Sequence, residues 1–164
     1  MNIKYIMLLV VALAFNSAFA IDEVSSEYQD EIFLIYDLYK DSQASLVEES
    51  INLKIIRNDN GSNKITLASF VVEGFHGGNN LNQFFVMFES NENQENNKTM
   101  VTGVFPVGIF KVAYDIENSE YSSGKIRIPA PQNPQASWHT ANDLEFQKVG
   151  SLWWDRVDII SSEN

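Results

Sequence analysis

Hydrophobic and polar positions alternate along much of the chain, most clearly in residues 51–72. Ile51, Leu53 and Ile55 are separated by Asn52 and Lys54, the period of two that places successive side chains on opposite faces of a strand. The polar stretch 58–63 follows, and then a second apolar-rich run from Lys64 to Val72. Asn60-Gly61 is a preferred centre for a two-residue type I′ hairpin turn, because both positions need positive φ. Such a turn fixes the register. Ile55 then faces Thr66, Leu53 faces Ala68 and Ile51 faces Phe70, with one face apolar and the other mixed.

The same pattern predicts further strands. Residues 84–88, Phe-Phe-Val-Met-Phe, are apolar on both faces and suit a central strand covered on both sides. Glycine- and asparagine-rich loops flank them at 73–82 and 90–97. Residues 100–104 read as a strand ended by Phe105-Pro106, and 107–116 as a longer strand. Residues 118–124 are expected to turn. Lys125-Ile126-Arg127-Ile128 alternates as a short strand. The proline-rich 129–134 is an extended, non-helical connection. Residues 144–146 form a short strand and 152–160 the last one.

Residues 27–40 carry two conflicting signals. Tyr28, Ile32, Ile35 and Tyr39 recur at helical spacing, and Ser26 with Gln29 resembles a capping box. Ile-Phe-Leu-Ile-Tyr favours a strand by propensity. The propensity reading is taken here, with one short helix as the alternative and a helical turn over 44–50 in either case. Many short strands, polar turns and no βαβ alternation predict an all-β fold, an antiparallel β-sandwich, with a small β-barrel as runner-up.

The first twenty residues do not belong to that pattern. Lys4, an apolar run over 6–15 and Ala18-Phe19-Ala20 have the order of a secretory signal peptide. The run is shorter than the roughly 20 residues a membrane span needs. Cleavage would leave residues 21–164 as a single exported domain with no transmembrane anchor, periplasmic or extracellular.

Composition narrows the chemistry. The 164 residues include 22 acidic and 11 basic side chains, a net charge of −11, and no cysteine. Disulfides and thiolate metal or nucleophile sites are therefore excluded. Nucleic acid is a poor partner for so acidic a chain, and an anionic membrane surface would repel it. The chain has no Gly-x-Ser-x-Gly elbow, phosphate loop, dinucleotide fingerprint or His-Glu-x-x-His. No catalytic residue, metal site or cofactor is assigned.

The two histidines fall in expected loops. His76 lies in Gly74-Phe75-His76-Gly77-Gly78, where glycines allow close approach of a ligand to the backbone. His139 follows Trp138. Glu73, Glu89, Asp115, Asp143, Asp155 and Asp158 lie in or beside expected strands and are the candidates for a hydrolytic carboxylate pair. Asn60-Gly61-Ser62 and Asn97-Lys98-Thr99 fit the N-glycosylation pattern.

The aromatic residues are the most suggestive feature. Trp138, Trp153 and Trp154 all lie in the last third of the chain. Adjacent Trp153 and Trp154 on one strand point to opposite faces. Trp154 shares its side with Arg156 and Asp158, the more polar set, and an exposed tryptophan beside charged groups suits stacking on a sugar ring. The sequence thus predicts a non-enzymatic exported binding protein. It would contact a glycan or an exported or surface protein through Trp138, His139, Trp154, Arg156, Asp158 and His76. An assembly or surface-structure subunit and a carboxylate-based hydrolase are the alternatives.

Overall fold

A computed structural model of the chain describes residues 28–58, 63–74, 80–90, 99–109, 112–131 and 142–156. The chain separates into two units, the first ending at Tyr39 and the second beginning at Lys40. In the first, Gln29–Tyr39 is an α-helix, α1, not the strand that propensity favours. Burial decides between the two signals. Ile32 and Ile35 are buried on one side of α1 while Leu34 and Leu38 are exposed, so helical spacing prevails over the β preference of the individual residues. Asp30 and Glu31 in its first turn complement the positive end of the helix dipole.

The second unit contains eight strands: β1 (Ser45–Asn58), β2 (Lys64–Glu73), β3 (Leu81–Ser90), β4 (Met100–Ile109), β5 (Glu120–Ser122), β6 (Lys125–Ile128), β7 (Leu144–Val149) and β8 (Leu152–Asp155). They form two four-stranded sheets, β1-β2-β3-β4 and β5-β6-β7-β8, in which every neighbouring pair is antiparallel. Neither closes into a barrel; the arrangement is an all-β, sandwich-like fold. No helix among the described residues is long and apolar enough to cross a membrane. The expected leader and the loops at 75–79 and 91–98 lie outside the described residues.

The β1–β2 hairpin keeps the expected register in its middle, with Ile55 opposite Thr66 and Leu53 opposite Ala68. It departs at both ends. Near the turn, Arg57 faces Ile65 and Asn58 faces Lys64, so Ile56 is an extra residue in β1. Towards the start of β1 the register slips between Val47 and Asn52, so Ile51 is not paired with Phe70. Ser50 fills that break. Its hydroxyl accepts the Val71 N–H at 2.7 Å and donates to the Val47 carbonyl at 2.5 Å. Residues 45–50 are therefore strand, not a helical turn.

β3 is buried on both faces, as its unbroken apolar run predicts, and β2, expected to carry one mixed face, is buried on both as well, with Thr66 and Ser69 among its buried residues. Phe70 and Phe84 are cross-strand partners and stack at 5.2 Å on one face. On the other face Ile65, Leu67, Phe85 and Met87 join Ile126, Ile128, Phe146 and Trp153 of the second sheet in one core. β4 passes through Pro106 rather than stopping there. It is an edge strand, the position where a missing N–H is tolerated.

Residues 107–116 are not one strand. β4 ends at Ile109, and residues 116–118 form a short 3₁₀ turn. Asp115 starts the turn, accepting the Glu117 N–H at 2.9 Å and the Asn118 side-chain amide at 2.7 Å. Gln83 holds the approach to it. Its amide donates to the Tyr114 carbonyl at 2.8 Å and accepts the Tyr114 N–H at 2.7 Å, giving a buried side chain the bonding of a neighbouring strand. Lys54 then donates to the Glu117 and Ser119 carbonyls at 2.6 and 2.8 Å.

The opposite edge closes around Glu89. One carboxylate oxygen accepts the Trp153 indole N–H at 2.7 Å and the Thr102 hydroxyl at 3.1 Å. The other accepts the Lys148 ammonium. Thr102 is the extra residue of a bulge in β4, opposite the Met87–Phe88 step. β4 and β8 meet at Gly103, where a Cβ would lie 2.8 Å from the Phe105 ring and 2.9 Å from the Trp153 Cβ.

That contact gives a prediction. Gly103→Ala should destabilise the protein by about 1–3 kcal/mol, the range for overpacking a core. Gly108→Ala, where a Cβ would meet only the Asn82 side-chain oxygen at 3.8 Å, should cost little. Urea denaturation midpoints compare them; equal midpoints would contradict the close β4–β8 approach.

Candidate functional site

The second sheet has an inner and an outer face, divided by strand alternation. Ile126, Ile128, Phe146 and Trp153 are buried in the core. Their neighbours Lys125, Arg127, Glu145, Gln147, Trp154 and Arg156 point the other way. Two tight turns set this alternation. Ser123 (φ 51°) and Gly124 (φ 76°) join β5 to β6 with positive φ at both central residues, a type I′ turn. Gly150 (φ 64°) and Ser151 join β7 to β8, with glycine at the first central position as a type II′ turn needs.

The registers align the outer side chains in rows across the strands. In one row Ser122 faces Lys125, Lys125 faces Gln147 and Gln147 faces Trp154. Beside it, Glu120 faces Arg127, Arg127 faces Glu145, and Arg156 bonds Glu145. At the β7–β8 turn, Val149 faces Leu152, and both are about half exposed. Trp154 is 42% exposed, whereas Trp153 is 3% exposed.

Both arginines of the charged row are paired. Arg127 donates from Nε at 2.8 Å and from its terminal nitrogen at 2.5 Å to one oxygen of Asp143. The other oxygen accepts the Ala130 N–H at 2.8 Å. The Ala130 N–H first, and then Arg127, hold the Asp143 carboxyl below its usual range. The hydrogen bond to Asp143 chiefly raises Arg127. Arg156 pairs with Glu145. Tyr114, below this region, donates its hydroxyl to the Asn142 carbonyl at 2.8 Å. Burial, then the charge of Asp143, pushes its phenol above the ordinary value.

Of the residues expected to bind a ligand, the structure brings Trp154 and Arg156 onto this one exposed face. Trp138, His139, Asp158 and His76 lie outside the described residues, as do Asn60 and Asn97 of the two glycosylation patterns. The hydrolytic candidates have other occupations. Glu89 binds three groups between the sheets, Asp115 starts the 3₁₀ turn and Asp143 pairs with Arg127. Glu73 is exposed at the end of β2, Asp155 lies on β8, and Asp158 is outside the described residues. Among the described residues, no group of three or more His, Asp or Glu is placed to hold a metal ion.

Sequence reading missed Lys125 and Gln147 as neighbours of Trp154. The signal was present in Gly150-Ser151 between two alternating runs, a hairpin mark that fixes Gln147 opposite Trp154. No protein-family model, curated protein or solved structure matches the chain.

The Arg127–Asp143 pair gives a pH prediction. A carboxyl with a lowered folded pKa contributes stability above its unfolded value, near 3.9, and loses it as pH falls through the folded value. The Asp143 carboxyl carbon signal should therefore titrate in NMR with a midpoint below 3.8. In Arg127→Met the midpoint should rise. A wild-type midpoint at or above 3.8 would contradict the pairing.

Proposed function

We propose that this is an exported, non-enzymatic glycan-binding protein whose contact surface is the outer face of β5–β8. The observation that carries the reading is the division of two adjacent tryptophans. Trp153 is buried and hydrogen-bonded to Glu89, while Trp154 is held exposed on a sheet face. An exposed indole on a rigid element loses little conformational freedom on binding, and its flat apolar surface suits the C–H face of a sugar. Gln147 opposite it supplies both a donor and an acceptor for hydroxyls. Among the described residues of this face, the exposed apolar side chains beside Trp154 are Leu152 and Val149, flanked by polar groups. That pattern fits a small polar ligand better than the larger core of a stable protein–protein interface. Export rests on the leader-like residues 1–20.

The test starts from protein recovered in the exported fraction, where its first residue should be Ile21. Thermal unfolding is then followed against a panel of oligosaccharides. A ligand at about 100 times its dissociation constant adds roughly 2.7 kcal/mol, a midpoint rise of several degrees. One class of glycan should give that rise in the wild type and not in Trp154→Ala, whose own midpoint stays near wild type. Trp153→Ala should instead lose about 3–5 kcal/mol of stability. No rise with any glycan, or an undiminished rise in Trp154→Ala, would overturn the reading.

A further inference from the structure

The row across the sheet that ends at Trp154 also contains a cation that no described residue neutralises. Arg127 and Arg156 on this face are paired with Asp143 and Glu145, and Lys148 turns inward to Glu89. Lys125 is exposed and, among the described residues, has no hydrogen-bond or ion-pair partner. It stands opposite Gln147, which stands opposite Trp154. Neighbouring strands lie about 4.8 Å apart, so roughly 10 Å separates the backbones of Lys125 and Trp154. That span accommodates two adjoining sugar rings.

We infer that the face recognises an acidic saccharide: Trp154 stacks on one ring, Gln147 bonds its hydroxyls, and the Lys125 ammonium pairs with a carboxylate on the adjoining ring. This rests on the glycan-binding reading above and adds the charge of the ligand. The choice of an anion follows from charge complementarity. The carboxylates Asp143 and Glu145 are each paired with an arginine, which leaves Lys125 beside the tryptophan row. Glu120, in the adjoining row, stands opposite Arg127 rather than Lys125. The chain's net charge of −11 opposes an anion at long range, but at physiological ionic strength the Debye length is about 8 Å. Groups on this face therefore outweigh distant acids. Lowering the salt should weaken acidic-glycan binding, because it lets the net charge act further.

The experiment measures dissociation constants by tryptophan fluorescence for trimers of galacturonic acid, glucuronic acid and sialic acid, and for neutral galactose and glucose trimers. The wild type, Trp154→Ala, and Lys125→Met are compared. At least one acidic trimer should bind more tightly than every neutral one. Lys125→Met should lose about threefold for it, the effect of one exposed ion pair, and nothing for the neutral sugars. Trp154→Ala should lose binding of both kinds. If neutral trimers bind as well as acidic ones and Lys125→Met changes nothing, the acidic inference fails while glycan binding stands. If no trimer binds, both fail.

Discussion

The inner face of β3 governs this fold. Gln83, Phe85, Met87 and Glu89 alternate along it, polar at both ends and apolar between. The two apolar side chains enter the core shared by the sheets. Each polar one fastens a different part of the second sheet. Gln83 bonds both backbone groups of Tyr114, on the approach to β5. Glu89 gathers Trp153 and Lys148 from β8 and β7. A hydrophobic layer is non-directional and by itself permits sheets to slide. Hydrogen bonds at both ends of one strand, buried at Gln83 and partly buried at Glu89, remove that freedom, because shifting the sheets would leave these polar groups unpaired.

The position of Trp154 follows from this constraint. Strand alternation requires only that Trp153 and Trp154 face opposite ways. Glu89 decides which one is inside, by offering an acceptor to the Trp153 indole N–H. Gly103 reinforces that choice by leaving room for the Trp153 side chain where β4 meets β8. The neighbouring indole is then displayed on a face whose two described arginines are paired with Asp143 and Glu145.

Features governed by local chemistry were legible in the sequence. Alternation located β6 and the middle of β1, apolar runs located β2 and β3, and turn geometry gave the Leu53–Ala68 and Ile55–Thr66 pairs. Errors arose where a distant partner decided the outcome. Residues 107–116 alternate like a strand, yet Gln83 captures the backbone at Tyr114 and Asp115 starts a 3₁₀ turn. β4 continues through Pro106 because it is at an edge, and edge position is a property of the assembled sheet. α1 forms because Ile32 and Ile35 are buried together, which outweighs their strand propensity. In the candidate site, the opposite faces of Trp153 and Trp154 were readable from alternation. The row joining Lys125, Gln147 and Trp154 needs three registers at once, from segments separated by a long connection. Glu89 and Lys148 are 59 residues apart, with nothing local to mark them as a pair.

The most direct test of this account is hydrogen exchange at the tryptophan indole N–H groups, resolved by ¹⁵N NMR and assigned by single Trp→Phe substitutions. The Trp153 indole, buried and bonded to Glu89, should exchange slowly and lose its protection in Glu89→Ala, while the Trp154 indole exchanges rapidly in both proteins. A protected Trp154 indole, or a Trp153 indole that exchanges as fast as it, would contradict the claim that β3 holds one tryptophan inside and presents the other.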